Sequence, residues 1–161
     1  MSGEELIVAA RQLEKDILNF FWRQSVPYCE SEDLLQETYV RLWKYRHRYE
    51  KTASLKTFVL MLAHQVRIDA LRRQTRREKR DEAWMKERPP ARETCSYDRE
   101  FVRWAVGRLS EPLRQTVELG VFQDLPYAEV AKILDIPVGT VKSRMSNALK
   151  KLKEIIDEHR P

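Results

Sequence analysis

Apolar residues recur at intervals of three and four along much of the chain, which predicts α-helices. In the first such stretch, residues 4–23, we expect one core-facing helix of about five turns. Its apolar stripe consists of Leu6, Ile7, Ala10, Leu13, Ile17, Phe20 and Phe21. Ser31 precedes two acidic residues, so a second helix with Ser31 as its N-cap is predicted through residue 49. That helix leaves an acidic face suited to a protein partner, made of Asp33, Gln36, Glu37 and Val40.

A third long helix is predicted to begin at Leu55, with a core-facing stripe and a basic end. The stripe consists of Leu55, Phe58, Val59, Leu62, Val66, Ala70 and Leu71. Arginines and lysines crowd the stretch from Arg72 to Arg80, and two consecutive prolines, Pro89 and Pro90, exclude a continuing helix. The predicted organisation is a domain at 1–75, a flexible linker at 76–95 and a second domain at 96–161.

Four helices are predicted in the second domain. The first spans Tyr97–Leu109 and is followed by Ser110, which we expect to cap the next helix. The inward residues of the first are Phe101, Val102, Ala105 and Leu109. The last two helices of the domain lie within residues 127–153 and are separated by a very short turn.

Residues 127–153 have the pattern of a helix-turn-helix, a motif that binds the major groove of DNA. Asp135 is predicted to end the first helix in a left-handed conformation, and Pro137 to start the second. Small polar residues and then bases occupy the outer face of the second helix, as close approach to base edges requires. Its inward residues are Val138, Val141, Met145, Ala148, Leu149 and Leu152. The alternative is a solvated amphipathic helix, and the turn chemistry favours DNA binding over it.

Composition narrows the class of protein further. Among 161 residues 34% are charged and only four are glycine, which favours helices with large polar faces, and the net charge of +5 fits a polyanionic partner. Cys29 and Cys95 form no CxxC pair, and no catalytic motif is present, so we expect no cofactor, no metal site and no enzymatic activity. No apolar run approaches the roughly 18 residues that span a bilayer. We therefore expect a cytoplasmic protein without membrane insertion.

Three segments together resemble a bacterial RNA polymerase sigma factor of the extracytoplasmic-function group (ECF, group 4) of the sigma-70 family. They are DLLQETYVRLW at 33–43, SLKTFVLMLAHQVRIDALRR at 54–73 and LPYAEVAKILDIPVGTVKSRMSNALKKLK at 125–153. The segments follow the family's order and cover nearly the whole chain, and PVGTVKSR is the most specific part. The resemblance implies an all-α fold of two small helical domains, sigma domain 2 and sigma domain 4 with its helix-turn-helix, joined by a flexible linker.

The resemblance also assigns a role to each face. The β′ clamp helices of core RNA polymerase would contact Asp33, Leu34, Gln36, Glu37 and Val40. The single-stranded non-template strand of the minus-ten element, with one base flipped out, would contact Ser54, Lys56, His64, Gln65, Arg67, Asp69, Arg72 and Arg73. The minus-thirty-five duplex would contact Pro137, Val138, Gly139, Thr140, Lys142, Ser143, Arg144 and Asn147. The β flap of the polymerase and an anti-sigma factor are further partners that the resemblance implies.

These assignments predict a promoter-specificity subunit that helps to melt DNA and initiates transcription of a stress- or signal-responsive set of genes. A flexible linker of roughly 20 residues has an r.m.s. reach of about 25 Å, whereas two turns of duplex separate the two sites by about 70 Å. A scaffold that holds the domains apart is therefore needed. Two alternatives stay open: a stand-alone helix-turn-helix regulator, and a sigma-like decoy that only binds an anti-sigma factor.

Overall fold

The described part of the chain folds into eight α-helices and contains no strand. The computed structural model describes residues 2–24, 28–50, 53–80 and 97–159. The helices are α1 (Gly3–Arg11), α2 (Glu14–Arg23), α3 (Tyr28–Tyr45), α4 (Leu55–Arg80), α5 (Tyr97–Gly107), α6 (Glu111–Val117), α7 (Tyr127–Leu134) and α8 (Val138–His159). A 3₁₀ turn at Arg46–Arg48 follows α3, and a π-helical turn at Glu118–Phe122 follows α6. The all-α prediction is confirmed. None of the described helices combines the length and apolarity that a bilayer crossing requires.

Two helices stand where the sequence predicted one over residues 4–23. Between α1 and α2, the N–H of Gln12 donates to the carbonyl of Ala9 at 3.2 Å and that of Leu13 to Ala10 at 2.9 Å. These hydrogen bonds span three residues instead of the four of an α-helix, so they interrupt the α-helical hydrogen-bond pattern. The apolar spacing continues across the break without a glycine or proline, and Ala10 and Ile17 are both buried. The hydrophobic pattern alone therefore could not reveal the division.

The helix α3 begins at Tyr28, so the prediction that Ser31 caps it is wrong. Ser31 lies inside the first turns and is only 1% exposed. The helix contacts α1 and α2 as well as α4, so it is buried on two sides. For this reason its buried residues lie on two sides of the helix: Leu34, Leu35, Thr38 and Leu42.

The helix α4 is longer and more deeply buried than the sequence predicted. It continues to Arg80, into the stretch predicted as linker, and residues 81–95 lie outside the described residues. Phe58, Val59, Leu62 and Val66 confirm the predicted stripe, while Leu55, Ala70 and Leu71 are partly buried. Two residues outside that stripe, Leu60 and Ala63, are also buried. Helix α4 contacts α7 as well as α1, α2 and α3, so more than one of its sides is covered.

The C-terminal half contains the four predicted helices α5–α8. Ser110 is the N-cap residue of α6, as predicted, although its side chain makes no capping hydrogen bond. Three core predictions are wrong, because Val102 is 43% exposed, Val138 is 39% exposed and Leu149 is 52% exposed. The buried face of α5, which contacts α8 and α2, contains Ala105 and Val106 and leaves Val102 outside. The buried face of α8 is narrower than the predicted stripe and leaves Leu149 in solvent.

The two halves of the chain pack directly against each other, and we call this the closed arrangement. Helix α4 contacts α7, and α2 contacts α5. One buried cluster joins Phe20, Leu42 and Val59 of the N-terminal half to Leu119, Leu125, Val130 and Ile133 of the C-terminal half. A smaller cluster lies within the C-terminal half: Leu109, Leu113, Val117, Met145 and Ala148. Direct packing was not part of the sequence prediction, which joined two separate domains by a linker.

Candidate nucleic-acid interface

The turn between α7 and α8 has the geometry that its sequence predicts. Asp135 has φ 53° and ψ 50°, the left-handed conformation, and its N–H donates to the carbonyl of Ala131. The carbonyl of Pro137 accepts from the N–H of Thr140 at 3.0 Å and of Val141 at 3.2 Å, so α8 starts directly after Pro137. Both turn predictions are confirmed, and the short turn joins two helices that contact each other, as in a helix-turn-helix.

Helix α8 divides into a buried face and an accessible face. Val141, Met145 and Ala148 are at most 3% exposed and pack towards α6 and α7. Thr140 and Arg144 are half-buried. The remaining residues predicted for the minus-thirty-five element are exposed: Pro137, Val138, Gly139, Lys142, Ser143 and Asn147. The first turns of α8 therefore present short polar side chains and bases on one accessible surface.

The residues predicted for the minus-ten element lie along α4 but not on a single face. Gln65, Arg72 and Arg73 are exposed. His64 is largely buried, and burial lowers its pKa, with Arg67 lowering it further and the charge of Glu111 on α6 opposing both. His64 is therefore neutral at pH 7, so it can offer a hydrogen bond but no charge to a phosphate.

Three further members of this set are already engaged with protein groups. The hydroxyl of Ser54 lies 2.8 Å from that of Thr57. Arg67 donates to the backbone carbonyl of Gln24 at 3.2 Å, and Lys56 forms a 3.2 Å ion pair with Asp16. The structure therefore does not bring the whole set together on one free surface, because several members already bind other protein groups.

A chain of ion pairs joins α3 to α4 beside the accessible residues. Arg41 contacts both Glu37 and Asp69 at 2.8 Å, Arg73 contacts Glu37 at 3.0 Å, and Arg72 lies 3.8 Å from Asp69. Burial by itself would raise the pKa of Glu37, but the hydrogen bonds and charges of Arg73 and Arg41 outweigh it and lower that pKa. Glu37 is therefore ionised and held between two arginines, which limits its availability to a partner protein.

The acidic face predicted for the polymerase is otherwise accessible. Asp33, Gln36 and Val40 are exposed on α3, Val40 to 66%. Leu34 is the exception, because it is 8% exposed and packs in the core. Its predicted place on the contact surface is corrected: Leu34 supports the face from beneath.

An open cavity lies where the end of α3 and the start of α4 converge. Its volume is about 340 Å³, and the ring centres of Tyr49 and Phe58 are 5.3 Å apart in its wall. The lining residues are Tyr45, Arg48, Tyr49, Glu50, Ala53, Phe58, Met61, Leu62 and Gln65. Aromatic rings and cationic side chains are the groups on which nucleic acid bases stack.

Comparison with known proteins agrees with this geometry. The model of sigma-70 region 2 matches residues 10–77, which contain the ion pairs and the cavity, and the model of sigma-70 region 4 matches residues 102–152, which contain the helix-turn-helix. The chain belongs to the sigma-70 family. Its curated relatives place this sigma factor in the ECF group. They include the ECF RNA polymerase sigma factor RpoE of Cereibacter sphaeroides, 28% identical over 86% of this chain and 78% of that protein. SigK of Mycobacterium tuberculosis is 27% identical over 79% of this chain and 72% of its own length.

Solved structures share the fold of this sigma factor. The sigma factor RpoE of Bartonella quintana, solved in complex with the anti-sigma factor NepR, has a TM-score of 0.82 at 22% identity, covering 94% of this chain and 96% of that one. CnrH, solved in complex with the cytosolic domain of CnrY, has a TM-score of 0.72 at 15% identity, covering 98% and 91%. Each comparison spans both halves of the chain.

Sequence reasoning missed part of the candidate site in this sigma factor. Tyr45, Arg48 and Tyr49 line the cavity but were not named as site residues. Their signal was present, because aromatic and basic residues alternate from Tyr45 to Tyr49, a pattern suited to single-stranded nucleic acid. Glu118 was also missed, and nothing local in the sequence indicates that this glutamate is fully buried.

Proposed function

We propose that the chain is the promoter-specificity subunit of an RNA polymerase and directs it to a signal-responsive set of genes. The observation that carries the proposal is the accessible surface of α8, which begins at a left-handed turn and presents its polar and basic residues together. Such a helix start fits the major groove, where short side chains permit close approach. The target of this surface is the minus-thirty-five duplex.

Within α8, the roles divide by side chain. The longer Lys142 and Arg144 contact guanine edges or phosphates, and Asn147 is suited to adenine. Thr140 and Ser143 approach the bases most closely, and the hydroxyl of Ser143 is already directed by a 3.1 Å hydrogen bond to the carbonyl of Thr140. Since one good bidentate contact contributes about 1–3 kcal/mol of discrimination, these few residues suffice for a short element.

The cavity beside α4 receives a base of the minus-ten non-template strand in this proposal. Tyr49 and Phe58 supply aromatic surface, and base stacking on such rings contributes about 1–3 kcal/mol for each base. The amide of Gln65 at the cavity can donate to and accept from the edge of the base. Arg72 and Arg73, exposed one to two turns further along α4, attract the phosphates.

Two kinds of protein partner complete the proposal. The exposed residues Asp33, Gln36 and Val40 bind the β′ clamp helices of core polymerase, and the C-terminal half meets the β flap. An anti-sigma factor is the second partner. In support, the similar RpoE of Bartonella quintana was solved in complex with the anti-sigma factor NepR, and CnrH was solved in complex with the cytosolic domain of CnrY. The chain then acts in the cytoplasm, where transcription takes place.

Reconstitution with core RNA polymerase on genomic DNA fragments, with start sites mapped, tests the function. Arg144→Ala should reduce promoter-specific transcription roughly tenfold or more, since it removes about 1–3 kcal/mol of base contact, and should leave polymerase binding unchanged. Asp33→Lys should weaken polymerase binding. Lys151→Ala, exposed further along α8, is the matched control for charge.

The outcomes separate the alternatives. A stand-alone regulator would bind duplex promoters tightly without the polymerase, and a decoy would support no transcription. Equal loss of polymerase affinity in Arg144→Ala and Asp33→Lys would show that the faces are assigned incorrectly.

A further inference from the structure

An ion pair crosses the contact between the two halves. Nη1 of Arg23 on α2 is 3.1 Å from Oε1 of Glu118, whose side chain is completely buried. The guanidinium of Arg23 also stacks on the ring of Phe122, at 4.4 Å from its centre. Both partners of Arg23 belong to the π-helical turn that follows α6, so this one turn holds the end of α2.

Gln123 directly after that turn strengthens the same contact. Its Nε2 donates to Oε1 of Glu118 at 3.2 Å and to the backbone carbonyl of Asp16 on α2 at 3.1 Å. Gln123 is 2% exposed, so both bonds are shielded from water. Arg23, Glu118 and Gln123 thus form one polar cluster across the interface.

Other carboxylates of the C-terminal half face the N-terminal half of α4. Glu129 on α7 accepts a hydrogen bond from the hydroxyl of Thr57, and the charge of Glu111 acts on His64. Thr57 itself bonds the hydroxyl of Ser54. Because the largely buried His64 belongs to the set assigned to the minus-ten strand, part of that set is covered in the closed arrangement.

We propose that Arg23, Glu118 and Gln123 are a latch that holds the sigma factor in an inactive closed arrangement, which must open before both promoter elements can be bound. The inference rests on the proposed function. The two elements are about 70 Å apart on the duplex, whereas the latch joins side chains of the two halves at hydrogen-bond distance. One chain cannot satisfy both distances at once, so binding at both elements requires the latch to break.

This polar cluster is the weaker part of a contact that also contains the shared apolar cluster. Taking two charges out of water offsets much of their mutual attraction, so a buried ion pair stabilises less than well-packed apolar side chains of the same volume. Oε2 of Glu118 also lacks a hydrogen-bond partner within the described residues. Removing only one member of the pair, by contrast, leaves an uncompensated buried charge and is strongly destabilising.

Small-angle X-ray scattering of the full chain at pH 8 tests the latch. The wild type should be compact, with a radius of gyration near the roughly 15 Å expected for a globular chain of its length. Arg23→Met should expand the chain, because closing would bury the Glu118 carboxylate without a cation. Lys15→Met, exposed on the same helix, should leave the radius unchanged. The double variant Arg23→Met with Glu118→Leu should restore compactness, because an apolar pair replaces the ionic one.

Affinity for core RNA polymerase gives the functional result. If only the open chain binds, the apparent affinity scales with the open fraction, and Arg23→Met should tighten binding by about tenfold while the double variant returns it to the wild-type value. Should Arg23→Met fail to fold by circular dichroism, Gln123→Ala serves as the second opening variant.

Two results would overturn the latch: a wild type that is already extended in solution, or opening variants that match the wild type in both radius and polymerase affinity. If the variants expand but no form of the chain binds polymerase, the latch stands and the proposed function fails.

Discussion

The buried carboxyl of Glu118 should make the folding stability depend on pH, and a single substitution should remove that dependence. Burial raises the pKa of this carboxyl from 4.5 to about 7, although the charge of Arg23 and the hydrogen bonds from Gln123 and Arg23 act in the opposite direction. These are the charged and polar groups that contact the carboxyl from α2 and from the turn itself. In the unfolded chain the carboxyl is in water and titrates at its ordinary value.

The sign of the effect follows from the raised pKa. The folded chain binds this proton more tightly than the unfolded chain, so the stabilisation is complete below pH 4.5 and is lost as the pH rises through about 7. A rise of the pKa from 4.5 to about 7 corresponds to about 3 kcal/mol. Most of this, roughly 2.5 kcal/mol, should disappear between pH 5 and pH 8.

Urea unfolding followed by far-UV circular dichroism measures this change. Glu118→Gln keeps the shape of the protonated side chain and cannot ionise. The measured quantity is the unfolding free energy of the wild type minus that of the variant. From pH 5 to pH 8 this difference should fall by roughly 2.5 kcal/mol. Glu158→Gln, at an exposed site on α8, is the control and should follow the wild type. A difference that is constant with pH, or that falls towards acid, would refute the reasoning.

Three further predictions concern the turn, the core and the cavity. Asp135→Gly should stabilise the chain by up to about 1 kcal/mol in urea unfolding, because glycine adopts φ 53° without strain, and Asp135→Ala should not. Phe20→Ala should lower the unfolding free energy by about 3–5 kcal/mol, since the ring is completely buried, and a loss below 1 kcal/mol would contradict the described core. Gln65→Ala should weaken promoter opening by about tenfold, measured by permanganate reactivity, while polymerase binding is unchanged. An equal loss of promoter opening and of polymerase binding would show that Gln65 is not part of the strand-binding surface.

The sequence by itself determined the local structure of the candidate site. Helical periodicity and turn chemistry depend on residues within about one turn of each other, so the left-handed Asp135, the start of α8 after Pro137 and the accessible face of that helix were all predictable. For the same reason the core stripe of α4 was identified from its own residues. The exposed positions of the acidic face on α3 followed from the same periodicity.

The tertiary structure decided which helices bury a second face and which groups the buried polar side chains contact. Leu60 and Ala63 are buried on α4, which contacts α7 as well as α1, α2 and α3, and Leu34 is buried on α3, which is enclosed on two sides. Arg23 and Glu118 are 95 positions apart in the chain, and a pairing over such a distance leaves no local pattern. The burial of Glu118 and the raised pKa that follows from it therefore arise only in the folded chain.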